Sequence, residues 1–163
     1  MATATHSNRP LSRTQLVRRR SLWARQKKTV VFTNGVFDIL HVGHVDLLSK
    51  AKSFGDVLVV GVNSDASVRR LKGPARPINS QRDRCSLLLA LSVVNAVCVF
   101  DEDTPLELIQ ALRPDVLVKG SEYSVAKIVG ATEVRSWGGQ VTRVKMKPGY
   151  STTAIIRRAG IRK

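Results

Sequence analysis

Thr33-Asn34-Gly35-Val36-Phe37-Asp38-Ile39-Leu40-His41-Val42-Gly43-His44 decides the fold of this chain. An apolar, β-branched run over residues 29–32 leads into it and reads as a buried strand. Asn-Gly then turns the chain, and two histidines three apart bracket a glycine where a helix begins. A strand end, a glycine that lets another group approach, and a helix N-terminus together make a seat for phosphate.

Outward from this stretch, strand and helix patterns alternate. Residues 44–54 read as a helix, because Leu47, Leu48, Ala51 and Phe54 recur at helical spacing and Gly55 stops it. The run Val57–Asn63 is a second apolar strand. Lys72, Gly73, Pro74, Arg76 and Pro77 make residues 71–79 an irregular loop. Ser80 caps a helix to residue 91 with Leu87, Leu88 and Leu91 inward, and residues 95–100 form a third strand. Pro105 opens a helix that ends near Arg113, and residues 116–119 are the fourth strand. A helix over 132–137, a Gly138-Gly139 turn and a strand over 140–146 follow; Ser151 or Thr152 then caps a last helix to residue 159. The expected fold is a Rossmann-like α/β domain, an open, mainly parallel five-stranded sheet with helices on both faces.

The chain has 163 residues, 43% of them hydrophobic, enough for one domain with a real core. Residues 1–11 read as a disordered leader, and 12–163 as the single domain. Ser12 caps a basic helix to about Gln26, with Leu16, Trp23 and Leu22 toward the body. The formal net charge is +15, and Arg9, Arg13, Arg18, Arg19, Arg20, Arg25, Lys27 and Lys28 carry much of it with no acid among them. Such a run suits a solvated helix face or a field that draws in anions. A nucleic-acid-binding module is the rival reading, disfavoured by an aromatic content of 5% and the lack of a base-reading motif. No apolar run reaches the roughly 18–20 residues of a membrane span. There is no apolar signal segment, and Cys85 and Cys98 form no metal pattern, so a reducing cytoplasm is the expected compartment. Neither a P-loop nor Gly-x-Gly-x-x-Gly occurs.

Ligands of open α/β sheets gather beyond the carboxyl ends of the strands. Four chemistry-bearing segments fall there: residues 34–44, 63–76, 119–123 and 147–153. Each alone has a plain structural explanation: a core histidine, a loop charge, a helix cap. Their coincidence at strand ends favours a site.

His41-Val42-Gly43-His44 resembles the His-x-Gly-His signature of cytidylyltransferase-like nucleotidyltransferases, and Tyr150-Ser151-Thr152-Thr153-Ala154-Ile155-Ile156-Arg157 resembles the segment that opens their last helix. The series from Val62 to Val68, Leu71-Lys72-Gly73, Arg76-Pro77-Ile78-Asn79, Phe100 to Pro105 and Pro114 to Gly120 is similar to the adenylyltransferase domain of bifunctional heptose-phosphate kinase/adenylyltransferases, or its stand-alone form. Two positions depart from that pattern. Ser121-Glu122-Tyr123 stands where Gly-Asp-Tyr is usual, and Asn95 stands where an acid is common.

The resemblance implies attack of a sugar 1-phosphate oxygen, heptose 1-phosphate being the expected acceptor, on the α-phosphorus of ATP, with release of pyrophosphate. Such a nucleophile is already anionic, so alignment and charge relief are needed rather than a base. It gives His41, His44 and Lys72 catalytic roles, the histidines as donors to the triphosphate. Thr33, Asn34, Gly35, Phe37, Asp38, Gly43, Lys119, Gly120, Ser151, Thr152 and Thr153 would serve the nucleotide and its phosphates. Asn63, Asp65, Arg76, Glu122 and Arg157 would serve the acceptor. Asp38 is open between organising its loop, assisting metal-bound phosphates and capping a helix; Arg157 is open between facing anions and being a plain helix charge. Mg²⁺ would be held mainly by substrate phosphates and water, with no protein metal site. A separate sugar kinase would supply the acceptor, and a homodimer is the implied assembly. Cytidylyl transfer to a polyol phosphate, or adenylyl transfer to a flavin or pantetheine phosphate, are alternatives inside the superfamily.

Overall fold

A computed structural model describes residues 9–122 and 124–160 of the chain. Five strands form one sheet: β1 (Val30–Gly35), β2 (Val57–Asn63), β3 (Ala96–Phe100), β4 (Val116–Gly120) and β5 (Gln140–Val144). Their order is β3-β2-β1-β4-β5 and every pairing is parallel, as the expected open, mainly parallel sheet requires. β-Branched residues fill β1 and β2, and both strands are buried along nearly their whole length, as a sheet covered on both faces requires.

Among the described residues seven α-helices accompany it: α1 (Arg13–Arg25), α2 (Val42–Lys52), α3 (Asp65–Lys72), α4 (Gln81–Leu89), α5 (Leu106–Leu112), α6 (Ala131–Ser136) and α7 (Thr152–Arg158), the last with no buried residue. Alternation along the strands divides the core in two. Val30, Phe32, Val59, Cys98 and Leu117 meet Leu16 of α1, Leu108, Ile109 and Leu112 of α5, and Val134 of α6. Val31, Leu58, Val60, Val97 and Val118 meet Leu47, Leu48 and Ala51 of α2 and Cys85 and Leu88 of α4. Burial raises both thiols to a pKa of about 11, so neither is a nucleophile near neutrality.

Ser12 caps α1 through a full capping box with Gln15. The basic helix is sewn to the body by acids: Arg13 pairs with Glu102 and Glu107, and Arg20 reaches Asp115 at 2.9 Å, whose other oxygen accepts from Val30 N–H at 2.7 Å. No helix among the described residues is long and apolar enough to cross a membrane.

Several expectations need correction. Leu11, placed in the leader, forms a parallel bridge to Cys98, its N–H donating to Val97 at 2.8 Å, and covers part of the outer edge of β3; residues 1–8 of that leader lie outside the described residues. Leu22, Phe54 and Leu87 are 47%, 41% and 46% exposed. Leu22 is on the outer side of α1, and Phe54 lies past the end of α2. On α4 the inward stripe is Arg84, Cys85 and Leu88, which turns Leu87 outward. The helix α3 was not expected at all, although Ser64 caps it, accepting from Ser67 N–H, and Val68 is fully buried.

Candidate active site

The strand order reverses between β1 and β4, and that is where the sheet opens. β1 is paired to β2 from Val30 to Gly35, but to β4 only at Val31–Val116 and Phe32–Leu117. Beyond those rungs β1 and β4 part, and a cleft of about 960 Å³ begins above them. Asn34, Gly35, Phe37, Asp38, His44, Asn63, Lys72, Arg76, Lys119, Thr152, Thr153 and Arg157 all line it. These twelve sequence-derived candidates come from five separate regions of the chain.

His44 lines the cleft, and His41, which is not among the lining residues, stacks on it. His41 is the N-cap of α2, in extended conformation, so its ring folds back over the first turn. The two rings stack at 3.8 Å between centroids and 19° between planes, and Phe37 meets His44 edge-on at 5.0 Å. Gly43 permits this stack. A Cβ there would lie 3.0 Å from His41 Cε1 and 3.1 Å from Tyr150 Cβ, joining α2 to the approach of α7. Gly35 does the same for Phe37, whose backbone turns left-handed at φ 50° and lays its ring over the glycine.

Burial lowers the pKa of His41; burial, then the charge of His41, lowers that of His44 to about 4. Both rings are therefore neutral near pH 7, each with one N–H and one lone pair. Nδ1 of both is buried with no partner among the described residues, as is Thr33 Oγ1. A proton on Nδ1 would leave a sealed-off donor unpaired, so it belongs on Nε2. The pair thus offers neutral N–H donors.

The opposite wall is braced by a network that sequence reasoning half saw. Asp38, almost fully buried, accepts from Ile78 N–H at 2.8 Å, Asn79 N–H at 2.9 Å and Arg76 Nε at 2.5 Å. Burial alone would raise the Asp38 pKa, but the Asn79 and Ile78 N–H groups and Arg76 outweigh it and hold the carboxyl below its ordinary value. The loop-organising role of Asp38 is thus the one its contacts express. Arg76 lines the cleft while spending its Nε on Asp38.

Arg84 was missed by sequence reading. Its side chain is fully buried, donating to Asn79 O at 3.1 Å, Val36 O at 2.5 Å, Asn63 O at 2.8 Å and Asp65 Oδ1 at 2.8 Å. One guanidinium ties the ends of β1 and β2, the loop after α3, and α3 itself. Arginine placed one residue before Cys85, on a helix whose other inward positions are apolar, is the only signal the sequence carried.

Other expected site residues lie apart from the cleft lining. Asp65 is held by Arg84, and its own N–H goes to Gln81. Ser151 Oγ is spent capping α7, leaving Thr152 and Thr153 to face the cleft. Glu122 is exposed, and its carboxylate lies against the face of Gly120 where a Cβ would stand. Tyr123 lies outside the described residues. Asn95, in place of an acid, accepts from Leu58 N–H at 2.8 Å, a bond an aspartate would make equally well. Asp103 is an added lining residue, held by Arg70 at 2.9 Å. It sits beyond β3, the strand end left out of the sequence-based site. Among the described residues no group of three His, Cys, Asp or Glu side chains can hold a metal ion; the cleft offers chiefly donors and cations.

Residues 32–158 match the family model described as cytidylyltransferase-like. Bifunctional protein HldE of Koribacter versatilis is 53% identical over 148 residues, 91% of this chain and 30% of that protein. The protein of the same name from Syntrophotalea carbinolica is 59% identical over 134 residues, 82% of this chain and 27% of that one. The chain thus spans under a third of the length of these curated relatives. A lipopolysaccharide core biosynthesis protein from Thermoplasma volcanium superposes with a TM-score of 0.59 at 31% identity, over 74% of this chain and 97% of that one. Pantoate-beta-alanine ligase from Francisella tularensis, at 15% identity and a TM-score of 0.60, shares the fold, with 83% of this chain and 66% of that one covered. A parallel sheet opening between β1 and β4, a His-x-Gly-His stack at that opening and the match over residues 32–158 give one conclusion: the chain belongs to the cytidylyltransferase-like family and is a nucleotidyltransferase.

Proposed function

We propose that this nucleotidyltransferase moves AMP from ATP to a sugar 1-phosphate, heptose 1-phosphate being the acceptor that the sequence resemblance implies. The observation that carries the reading is neutral His44, stacked on His41, in a cleft that Lys72, Lys119 and Arg157 also line. An oxygen of the sugar phosphate attacks the α-phosphorus of ATP, the bond from that phosphorus to the bridging oxygen breaks, and pyrophosphate leaves with the electron pair. No proton has to be removed from the nucleophile. The task of the protein is to bring two polyanions together and to stabilise charge on the five-coordinate phosphorus, for which fixed N–H donors in a partly buried site suffice. His44 donates to the reacting phosphate, Thr152 and Thr153 to the departing phosphates, and Lys72 closes from the end of α3. Mg²⁺ would enter with the nucleotide as counterion of its phosphates. The acceptor is the product of a sugar kinase.

Pyrophosphate release, followed with ATP or CTP and with heptose 1-phosphate, glycerol 3-phosphate or phosphopantetheine, tests this directly. ATP with heptose 1-phosphate should give the highest kcat/KM. A preference for CTP, or for an acceptor that is not a sugar phosphate, overturns the reading. His44→Ala should lower kcat by about 10²–10³ with little change in the KM for ATP. An effect confined to KM removes His44 from the transition state.

A further inference from the structure

Where β1 and β4 part, one side-chain bond replaces the missing ladder. Asn34 and Lys119 would be the second pair of partners past the Phe32–Leu117 rung, had the strands stayed together. Instead Lys119 Nζ donates to Asn34 Oδ1 across the opening. This bond forms the floor of the cleft at the crossing point of the sheet, which both residues line. It also has a chemical direction. An ammonium has three donors and no acceptor, so it can hold only the carbonyl end of an amide. The Asn34 NH₂ group then has one way to point, and among the described residues it has no protein partner.

We propose that Lys119 is a positioning residue: by holding Asn34 Oδ1 it aims the Asn34 NH₂ group into the cleft, so that the ends of β1 and β4 present only N–H donors to an anionic phosphate oxygen. The inference rests on the reading of the cleft as a site of nucleotidyl transfer and assigns these two residues within it. A neutral amine carries a lone pair and accepts from the NH₂ end as readily as it donates to the carbonyl. Loss of one proton from Lys119 therefore frees the Asn34 amide to turn over, and the donor-only floor becomes a mixed one that meets a phosphate oxygen with a carbonyl. Burial lowers the Lys119 pKa to about 8, with Glu122 acting in the opposite direction. Among the described residues, other charged or titratable groups around it include Arg143 at the paired position of β5, and, along the cleft, His44, the Asp38–Arg76 pair, Lys72, Asp103 and Arg157. His44, lowered to about 4, is already neutral, and Asp38, held below its ordinary value, is ionised throughout that range, so the aim of Asn34 changes there with Lys119.

Side-chain amide NMR of Asn34, from about pH 6 to about pH 10, reads the orientation without reference to turnover. In the wild-type chain the Asn34 NH₂ resonances should move with a midpoint near 8. They should stay flat in Lys119→Arg, whose charge persists, and in Lys119→Met. Inorganic pyrophosphate added at pH 7 should shift them in the wild type and in Lys119→Arg but not in Lys119→Met. In turnover, kcat/KM should fall on the alkaline side in the wild type, and that fall should vanish in Lys119→Arg. Lys119→Met should lose about 10²-fold at neutral pH. An Asn34 resonance blind to pH in the wild type, or an alkaline fall that survives in Lys119→Arg, overturns the proposal. A responsive Asn34 together with no product from any sugar phosphate instead overturns the reading of the function and leaves this one standing.

Discussion

A single residue sets the geometry of the cleft more than any ligand-facing one. Arg84 holds three carbonyls and one carboxylate from four segments, and a guanidinium is the one side chain with enough fixed donors for that task. Breaking a buried pair of this kind leaves Asp65 and three carbonyls unanswered. Arg84→Met should cost about 3–5 kcal/mol of stability, read by urea unfolding. Arg84→Lys, keeping the charge but losing the fork, should fold more stably than Met while failing to restore kcat. If Lys restores full turnover, the arrangement of donors does not matter and Arg84 only supplies a charge. The sequence hid this residue for a physical reason. An arginine beside a cysteine on a short amphipathic helix looks like a solvated charge, and only the loops converging on it reveal otherwise. The histidine pair was the opposite case: its glycine, its spacing and the preceding strand were all local, so its place could be read without the fold.

Among the elements, α3 and the loop after it are where local reading failed. Residues 65–72 are rich in Arg, Lys and Ser, and of their two fully buried side chains, Ser67 and Val68, one alone is apolar, too little apolar periodicity to declare a helix. Its Ser64 cap and its tie to Arg84 supply what periodicity does not. The elements with continuous β-branched runs, β1 and β2, were legible because a covered parallel sheet imposes that composition. Asp38 governs the loop beyond α3, taking the N–H groups of Ile78 and Asn79 and the Arg76 side chain. Asp38→Ala should free residues 73–80, seen as faster limited proteolysis there, while α2 and its histidines stay protected. Equal loosening of both segments would show that Asp38 supports the whole strand end. The same carboxyl, with its pKa held low, stabilises the fold at neutral pH and loses that contribution as pH falls through its folded-state pKa.

At the scale of the whole molecule, the +15 charge and the position of the cleft belong to one argument. Arg13 and Arg20 are spent on acids of the body, so part of the basic helix is structural attachment. Arg18 and Arg25 remain on its exposed side, and Lys72, Arg157 and the end of β4 surround the opening. Two polyanionic substrates must meet in that opening, each drawn by a field that extends about a Debye length into solution, roughly 8–10 Å at physiological salt. Surface cations that merely kept the chain soluble would leave turnover indifferent to ionic strength. Cations that steer would make kcat/KM fall as salt rises, while kcat at saturation stays nearly level. Raising potassium chloride from about 0.02 M to about 0.3 M should lower kcat/KM for the anionic acceptor by about tenfold. The double substitution Arg18→Glu with Arg25→Glu touches no contact of the cleft, and should lower kcat/KM at low salt by only a few fold. If that variant matches the loss caused by Lys72→Ala, the distant helix contributes as much attraction as the rim. If salt changes kcat and leaves kcat/KM untouched, steering is excluded and the charge serves another purpose.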